Sequence, residues 1–193
     1  MDNVSDLSSM FGSGADSRDL HPDPEPGNHG LEVSDLREVR LESLIQIGEI
    51  ITKFESLKVP KEQSLSFIHH LTQSRDAWFV EAGSVGLLYL TEIVPRRDAK
   101  FHILFWNGSL EKGHLAATKT ILTEGFQRFE LLRVNAEVPV HNLPMKRFLK
   151  DLGFVLEGVT RQGWWNDSPP ADLVHYGILN EEKPWPVLAM EGA

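Results

Sequence analysis

Cysteine is absent from this sequence of 193 residues. Its absence excludes disulfide bonds, zinc sites built on thiolates and cysteine nucleophiles. No apolar run is long enough to span a bilayer, and the N-terminus has neither the basic segment nor the apolar segment of a signal peptide. We therefore expect a soluble cytoplasmic protein with no membrane partner.

Basic residues are outnumbered, since 19 Lys and Arg stand against 28 Asp and Glu, for a formal net charge of -9. Because binding to a nucleic-acid backbone requires a basic surface, we expect no nucleic-acid partner. The G-x-S-x-G, P-loop and dinucleotide-binding motifs are also absent, so nothing supports a hydrolase, a nucleotidase or a dehydrogenase. His69 and His70 are adjacent, and adjacent helical positions do not converge on one ion, so no metal site is expected.

Composition divides the chain into three parts. Residues 1–30 combine Ser, Gly, Asp and Pro with few large aliphatic side chains, which is typical of a disordered acidic tail. Residues 31–182 carry the periodic apolar patterns of one α/β domain, and residues 183–193 form a C-terminal extension. The length suits a single domain.

The spacing of apolar residues predicts ten secondary-structure elements. Two amphipathic helices come first, one carrying Leu41, Leu44, Ile47, Ile51 and Phe54, and one running from near Pro60 to Leu71. A meander of three antiparallel strands follows at residues 77–82, 85–94 and 100–106. The remaining elements are a helix (113–129), a strand (132–138), a helix (142–153) and two strands (154–161 and 172–179). This order implies a mixed sheet covered by helices on both faces.

The helix predicted at residues 142–153 carries signals at both ends. Asn142 suits the N-cap, Pro144 lies in the first turn, and Gly153 suits the position after the last turn. Met145, Phe148, Leu149 and Leu152 form an apolar stripe along one face.

This helix and the two segments after it, residues 157–162 and 172–179, resemble the C-terminal half of the Gcn5-related N-acetyltransferases (GNATs). The resemblance is strongest to the branch that acetylates α-amino groups of ribosomal proteins. It implies a three-layer α/β/α fold whose mixed, mostly antiparallel sheet is splayed at a cofactor cleft. It also implies acetyl-coenzyme A as the acetyl donor, with Phe105 and Trp106 beside the cleft, and an amine-bearing protein or small molecule as the acceptor.

The family's pyrophosphate loop corresponds to residues 110–116. Gly113 matches its glycine, whereas Leu110 replaces an Arg or Gln and Glu111 would lie near phosphate. Because the N–H groups at a helix N-terminus favour an anion, the resemblance makes the following residues the expected phosphate contacts: Gly113, His114, Leu115 and Ala116. Leu115 stands where the family has a small residue. Asn142 matches an amide that contacts the pantetheine arm in the family.

Proton transfer is where the sequence departs most from its relatives. The family's general acid is a Tyr or a Ser, and those positions hold Leu149 and Met145 here. Three residues on predicted strands near the cleft are candidate general bases, with a water chain as the alternative: Glu92, His102 and Glu137. Strand alternation puts His102 on the face opposite Phe101.

The expected activity is therefore that of an N-acetyltransferase, in which a primary amine attacks acetyl-coenzyme A directly. The amine would belong to a protein N-terminus, a lysine or a small molecule. The alternative is a catalytically inactive GNAT-fold protein that serves as an interaction or scaffold module, because a fold does not by itself imply a function.

Overall fold

The computed structural model describes residues 36–40, 43–56, 61–74, 76–106, 112–165 and 168–185. The predicted tail lies outside these residues, as does most of the predicted C-terminal extension. In chain order the elements are β1 (Leu36–Glu38), α1 (Leu44–Ser56), α2 (Lys61–Gln73), β2 (Trp78–Ala82), β3 (Gly86–Val94), β4 (Asp98–Phe105), α3 (Lys112–Arg128), β5 (Arg133–Pro139), α4 (Leu143–Asp151), β6 (Val155–Trp164) and β7 (Ala171–Leu179). No helix in the described part of the chain is both long enough and apolar enough to cross a bilayer.

The strands form one sheet in the order β1-β2-β3-β4-β5-β7-β6. Every pair of neighbours is antiparallel except β4 and β5, which run parallel. This arrangement confirms the mixed, mostly antiparallel sheet predicted from the sequence.

Two hydrophobic cores lie on opposite faces of the sheet. Alternation along β3 sends Leu88 and Leu90 into a first core with α3 and α4. It sends Leu87 and Tyr89 into a second core with α1 and α2. The three-layer α/β/α arrangement is therefore confirmed. Among the described residues, the second core takes no member from β5, β6 or β7, so α1 and α2 cover only the β1–β4 half of their face.

Strand β1 was not predicted. It pairs antiparallel with β2, where Leu36 lies opposite Ala82. Glu81 of β2 is buried, and Arg37 of β1 donates from Nε to its carboxylate at 3.1 Å while Lys53 of α1 contacts the other oxygen. Because a buried carboxylate requires cationic partners, these contacts hold β1 and α1 against β2.

The caps of α4 match the prediction. Asn142 Oδ1 accepts a hydrogen bond from the N–H of Met145 at 3.2 Å, and Pro144 lies in the first turn. Gly153 follows the helix with φ of 84°, a conformation that favours glycine. These caps fix where α4 begins and ends, and so fix which of its side chains face the sheet.

Candidate functional site

Strands β4 and β5 separate along their length. Their ladder runs from Asp98 opposite Arg133 to Lys100 opposite Asn135 and ends there. Both strands continue past that point, β4 to Phe105 and β5 to Pro139. The sheet is therefore open between the two strands beyond Lys100 and Asn135, which confirms the predicted splay.

The backbone of β4 offers hydrogen-bonding groups to this opening. The N–H of Trp106 donates to the carbonyl of Val85 at 3.1 Å, so these two form a hydrogen-bonded pair of the β3–β4 ladder. Such pairs alternate with pairs whose N–H and C=O groups point away from the neighbouring strand. In the observed register, Ile103 and Phe105 belong to pairs of the second kind. Their backbone N–H and C=O groups therefore point into the opening between β4 and β5.

This alternation refines the set of predicted cofactor contacts. The N–H of Trp106 is committed to Val85, and its ring lies in the second core, where Lys53 Nζ is 5.1 Å from the ring centroid. Ile103 faces the opening, although the sequence did not single it out. Counting in steps of two from Phe105 would have found it once the strand was known.

A cavity of about 170 Å³ occupies the opening. Met145 and Leu149 of α4 line it from the side of the first core. Tyr89, His102 and Glu137 line it from the opposite face of the sheet. The lining thus comes from both faces of the sheet, so a group held in the opening would contact side chains of both faces.

The first turn of α3 lies beside the end of β4. His114 is buried, and its ring centroid is 4.5 Å from that of Phe105. Leu115 packs against the first core. The side chains of these two residues thus anchor the turn. Because α3 begins at Lys112, the N–H groups of Gly113 and His114 have no acceptor four residues earlier within the helix and lie at its positive dipole end, whereas the N–H of Ala116 has the carbonyl of Lys112. Leu110 and Glu111 lie outside the described residues.

Helix α4 closes one side of the cavity with few polar groups. Asn142 caps the helix and also lines the cavity. Leu149 and Met145, at the positions of the family's acid, line the same cavity and can donate no proton. The two positions at which the sequence lacks a general acid therefore both lie in the wall of the cavity.

His102 is firmly positioned. Its Nε2 is 2.8 Å from Thr91 Oγ1, and its ring stacks on Tyr89 with centroids 4.7 Å apart. Since Tyr89 belongs to the second core and Phe101 to the first, the predicted orientation of His102 is confirmed. Burial raises the pKa of Tyr89, so its hydroxyl remains protonated.

Lys100 joins the other two candidate bases. Its Nζ lies 3.2 Å from Glu137 Oε2 and 3.4 Å from Glu92 Oε1. Burial lowers the pKa of Lys100, but hydrogen bonds and charges from Glu137 and Glu92 together outweigh burial and leave this pKa raised. Glu92 has a 71% exposed side chain and is not among the described residues that line the cavity. The structure thus brings His102 and Glu137 to the cavity, and Lys100 links Glu92 to Glu137.

Beyond Glu137, a histidine that sequence reasoning missed continues the polar contacts. His175 lies opposite Glu137 in the β5–β7 register, with Nδ1 at 3.6 Å from Glu137 Oε1. Its Nε2 is 2.7 Å from Thr160 Oγ1 on β6. Only the pairing of β5 with β7 brings these residues together, so no local sequence signal could have found them.

Neither a protein-family model nor a curated protein matches the chain by sequence. Solved structures match its fold. RimJ from Mycobacterium smegmatis, in complex with CoA-disulfide, matches with a TM-score of 0.61 and 20% identity over 79% of this chain and 84% of that one. A mutant of the spermidine N-acetyltransferase SpeG from Vibrio cholerae matches with a TM-score of 0.59 and 17% identity over 75% and 94%.

A third similar structure is the acetyl transferase from Salmonella typhimurium that modifies the N-terminal serine of ribosomal protein L7/L12. It has a TM-score of 0.58 and 16% identity, over 75% of this chain and 93% of that one. The chain therefore has the fold of the GNAT acetyltransferases. At these identities the likeness shows the fold alone.

Proposed function

We propose that the chain is an N-acetyltransferase that moves an acetyl group from acetyl-coenzyme A to a primary amine by direct attack. The observation that carries the proposal is the cavity between β4 and β5, which lies beyond Lys100 and Asn135 and is lined from both faces of the sheet. The similar structures support it, since they are named as acetyltransferases and one of them holds CoA-disulfide.

Acetyl-coenzyme A supplies an activated acetyl group as a thioester. The backbone groups of Ile103 and Phe105, which point into the opening, suit the amides of its pantetheine arm, in the way that an extended peptide adds to a strand. The first-turn N–H groups of α3, from Gly113 onward, suit the pyrophosphate. Asn142 would contact the arm with its amide N–H₂ group, while its oxygen caps α4.

The acceptor would enter from the face that carries His102 and Glu137. An amine attacks only when neutral, and a protein N-terminus with a pKa of about 8 loses its proton more readily than a lysine with a pKa of about 10.4. We therefore favour an α-amine or another small amine. His102 or Glu137 would accept the proton, while Glu92 would act only through Lys100.

Leaving-group departure needs little help here. A thiolate with a pKa of about 8.5 is a tolerable leaving group near neutral pH. Water can protonate it, so Leu149 and Met145 at the acid positions would slow the reaction without preventing it. Catalysis would then depend mainly on placing the amine against the thioester.

Calorimetric titration with acetyl-coenzyme A at moderate salt tests the proposal. We expect binding at one site per chain, and acetylation of at least one amine among spermidine, lysine and a serine-initiated peptide amide, detected by mass spectrometry. Ala136→Trp, which fills the cavity from β5, should abolish binding if its melting temperature shows that it still folds. Absence of binding even at millimolar ligand would instead favour the interaction-scaffold alternative.

A further inference from the structure

Four polar side chains form a chain of contacts on the sheet face that carries α1 and α2, beginning on β4 and continuing across the strands that these helices leave uncovered. Lys100 on β4 contacts Glu137 on β5 at 3.2 Å. Glu137 lies 3.6 Å from His175 on β7, and His175 lies 2.7 Å from Thr160 on β6. The chain begins at the cavity and ends at Thr160 on an exposed edge strand.

The proposed reaction makes an outlet of this kind necessary. Near neutral pH most amines arrive as ammonium ions. An ammonium and a thioester become an amide, a thiol and one free proton. The nitrogen gives up two protons, one of which ends on the thiol sulfur. One proton per turnover must therefore leave the cavity for solvent.

We propose, on the basis of the function proposed above, that Glu137 receives this proton and that His175 conducts it to solvent beside Thr160. Glu137 would touch the acceptor amine. His175 acts through Glu137 and is therefore a positioning residue for proton transfer rather than a catalytic residue.

The relay requires one tautomer of the His175 ring. The 2.7 Å contact with Thr160 Oγ1 is a hydrogen bond in which Nε2 can either donate to the hydroxyl or accept from it, whereas 3.6 Å between Nδ1 and Glu137 Oε1 is longer than a hydrogen bond. The relay needs the form in which Nε2 donates to Thr160, because Nδ1 then presents a lone pair that can accept a proton from Glu137.

Transfer then balances in two steps. Glu137 accepts a proton from the amine nitrogen. The protonated carboxyl can then donate a hydrogen bond from Oε1 to Nδ1 of His175, which requires the 3.6 Å separation to shorten to hydrogen-bond distance, and the proton passes along this bond. The resulting imidazolium releases its other proton from Nε2 to water beside Thr160, and the ring returns to its neutral form.

The kinetic test uses His175→Ala in the full-length chain, with whichever of spermidine or the serine-initiated peptide is acetylated. We expect kcat to fall on the order of tenfold, less than the usual loss of a general base, because Glu137 itself is 33% exposed to water. Affinity for acetyl-coenzyme A should not change. Added imidazole should restore kcat in proportion to its concentration, which a merely structural role would not allow.

Matched controls and a second measurement complete the test. His69→Ala, on the exposed side of α2, should retain activity and show no response to imidazole. Nitrogen-15 NMR of the wild-type chain, which needs no acceptor, should show the Nε2–H form of His175. An Nδ1–H form, an unchanged kcat in His175→Ala, or a loss that imidazole does not restore would each overturn the relay. If the wild-type chain fails to bind acetyl-coenzyme A, the proposed function falls and the relay falls with it, whereas the NMR result still reports on the contact itself.

Discussion

Lys100, the last residue of β4 that pairs with β5, holds its ammonium 3.2 Å from the carboxylate of Glu137, which lies on β5 just past the last paired residue Asn135. The contact therefore bridges the strands at the closed end of the opening. Lys100 is only 20% exposed, so solvent screens the interaction less than it would screen a surface pair. Loss of this cation should affect both the stability of the sheet and the charge at the cavity.

Lys100→Met tests the stabilising part of this contact. Near neutral pH we expect the free energy of unfolding to fall by about 1 kcal/mol. The pKa of Lys100 is raised in the fold, so its contribution is complete below the unfolded value of about 10.4 and is lost as pH rises through the folded value. Urea unfolding should thus show a constant difference between wild type and variant from about pH 7 to about pH 9, and a smaller one above about pH 11.

Lys150→Met provides the control, because Lys150 lies exposed in the last turn of α4. It should change the free energy of unfolding by less than about 0.5 kcal/mol at neutral pH. A difference between wild type and Lys100→Met that stays the same up to the highest pH would show that Lys100 stabilises the sheet through its aliphatic stem rather than its charge.

Gly86 allows β3 and β4 to approach closely at the open end of β4. A Cβ there would overlap the carbonyl oxygen of Leu104 and lie 3.0 Å from Phe105 Cα. Gly86→Ala should therefore displace the end of β4, lower the free energy of unfolding by about 2 kcal/mol and weaken binding of acetyl-coenzyme A. Urea unfolding and calorimetry measure the two effects.

A matched glycine lies on α1. A Cβ at Gly48 would meet nothing within 4 Å. Gly48→Ala should stabilise the chain by up to about 1 kcal/mol through helix propensity and leave binding unchanged. If both substitutions act alike, the close approach at Gly86 is not what positions β4.

Long periodic segments account for most of the fold that could be predicted. The 3.6-residue period of α3 and the apolar runs of β3 and β4 extend over several repeats. A pattern of that length identifies the type of secondary structure, which a pattern of a few residues does not. The caps of α4 were visible because Asn142 and Gly153 have local conformational preferences. Strand β1 escaped prediction because three residues show no period, and its position depends on Glu81 in a distant strand.

The site could be predicted only in part for a similar reason. His102 and Glu137 were found because they lie on strands that border the opening. Glu92 lies on β3 and shared the same sequence signals, yet its side chain is exposed outside the cavity. His175 required the register between β5 and β7, which is a property of tertiary pairing. Sequence patterns thus located the cleft, whereas the contacts within it required the folded sheet.

Asn142 is expected to serve α4 and the cofactor with different atoms. Its oxygen caps the helix, which Asp can do equally well, whereas its N–H₂ group would contact pantetheine. Asn142→Asp should leave the free energy of unfolding nearly unchanged and weaken acetyl-coenzyme A binding about tenfold, the loss of one hydrogen bond with a carboxylate left in place. Asn142→Ala should also lower the free energy of unfolding by about 1 kcal/mol.

Calorimetry and urea unfolding of the two variants separate these roles. Equal binding by the wild type and Asn142→Asp would leave Asn142 as a helix cap only. Equal stability of the wild type and Asn142→Ala would contradict the cap itself, which the 3.2 Å hydrogen bond to Met145 supports.

Leu149 offers a test of whether departure of the thiolate limits the reaction. It is fully buried and lines the cavity, and the GNAT resemblance of the sequence implies a proton-donating Tyr at its position. Leu149→Tyr introduces that donor, and Leu149→Phe introduces the same ring without the hydroxyl. Both should lose about 1–3 kcal/mol of stability through overpacking, so the comparison between them isolates the hydroxyl.

We expect kcat of Leu149→Tyr to exceed that of Leu149→Phe by up to about tenfold, less than a general acid usually contributes, because a thiolate leaves readily. The advantage should be greatest below about pH 8.5 and shrink above it, where the free thiolate persists in water without a proton. Steady-state rates over that range measure the ratio, and a ratio of one at every pH would show that the amine's attack or its deprotonation, rather than thiolate departure, limits turnover.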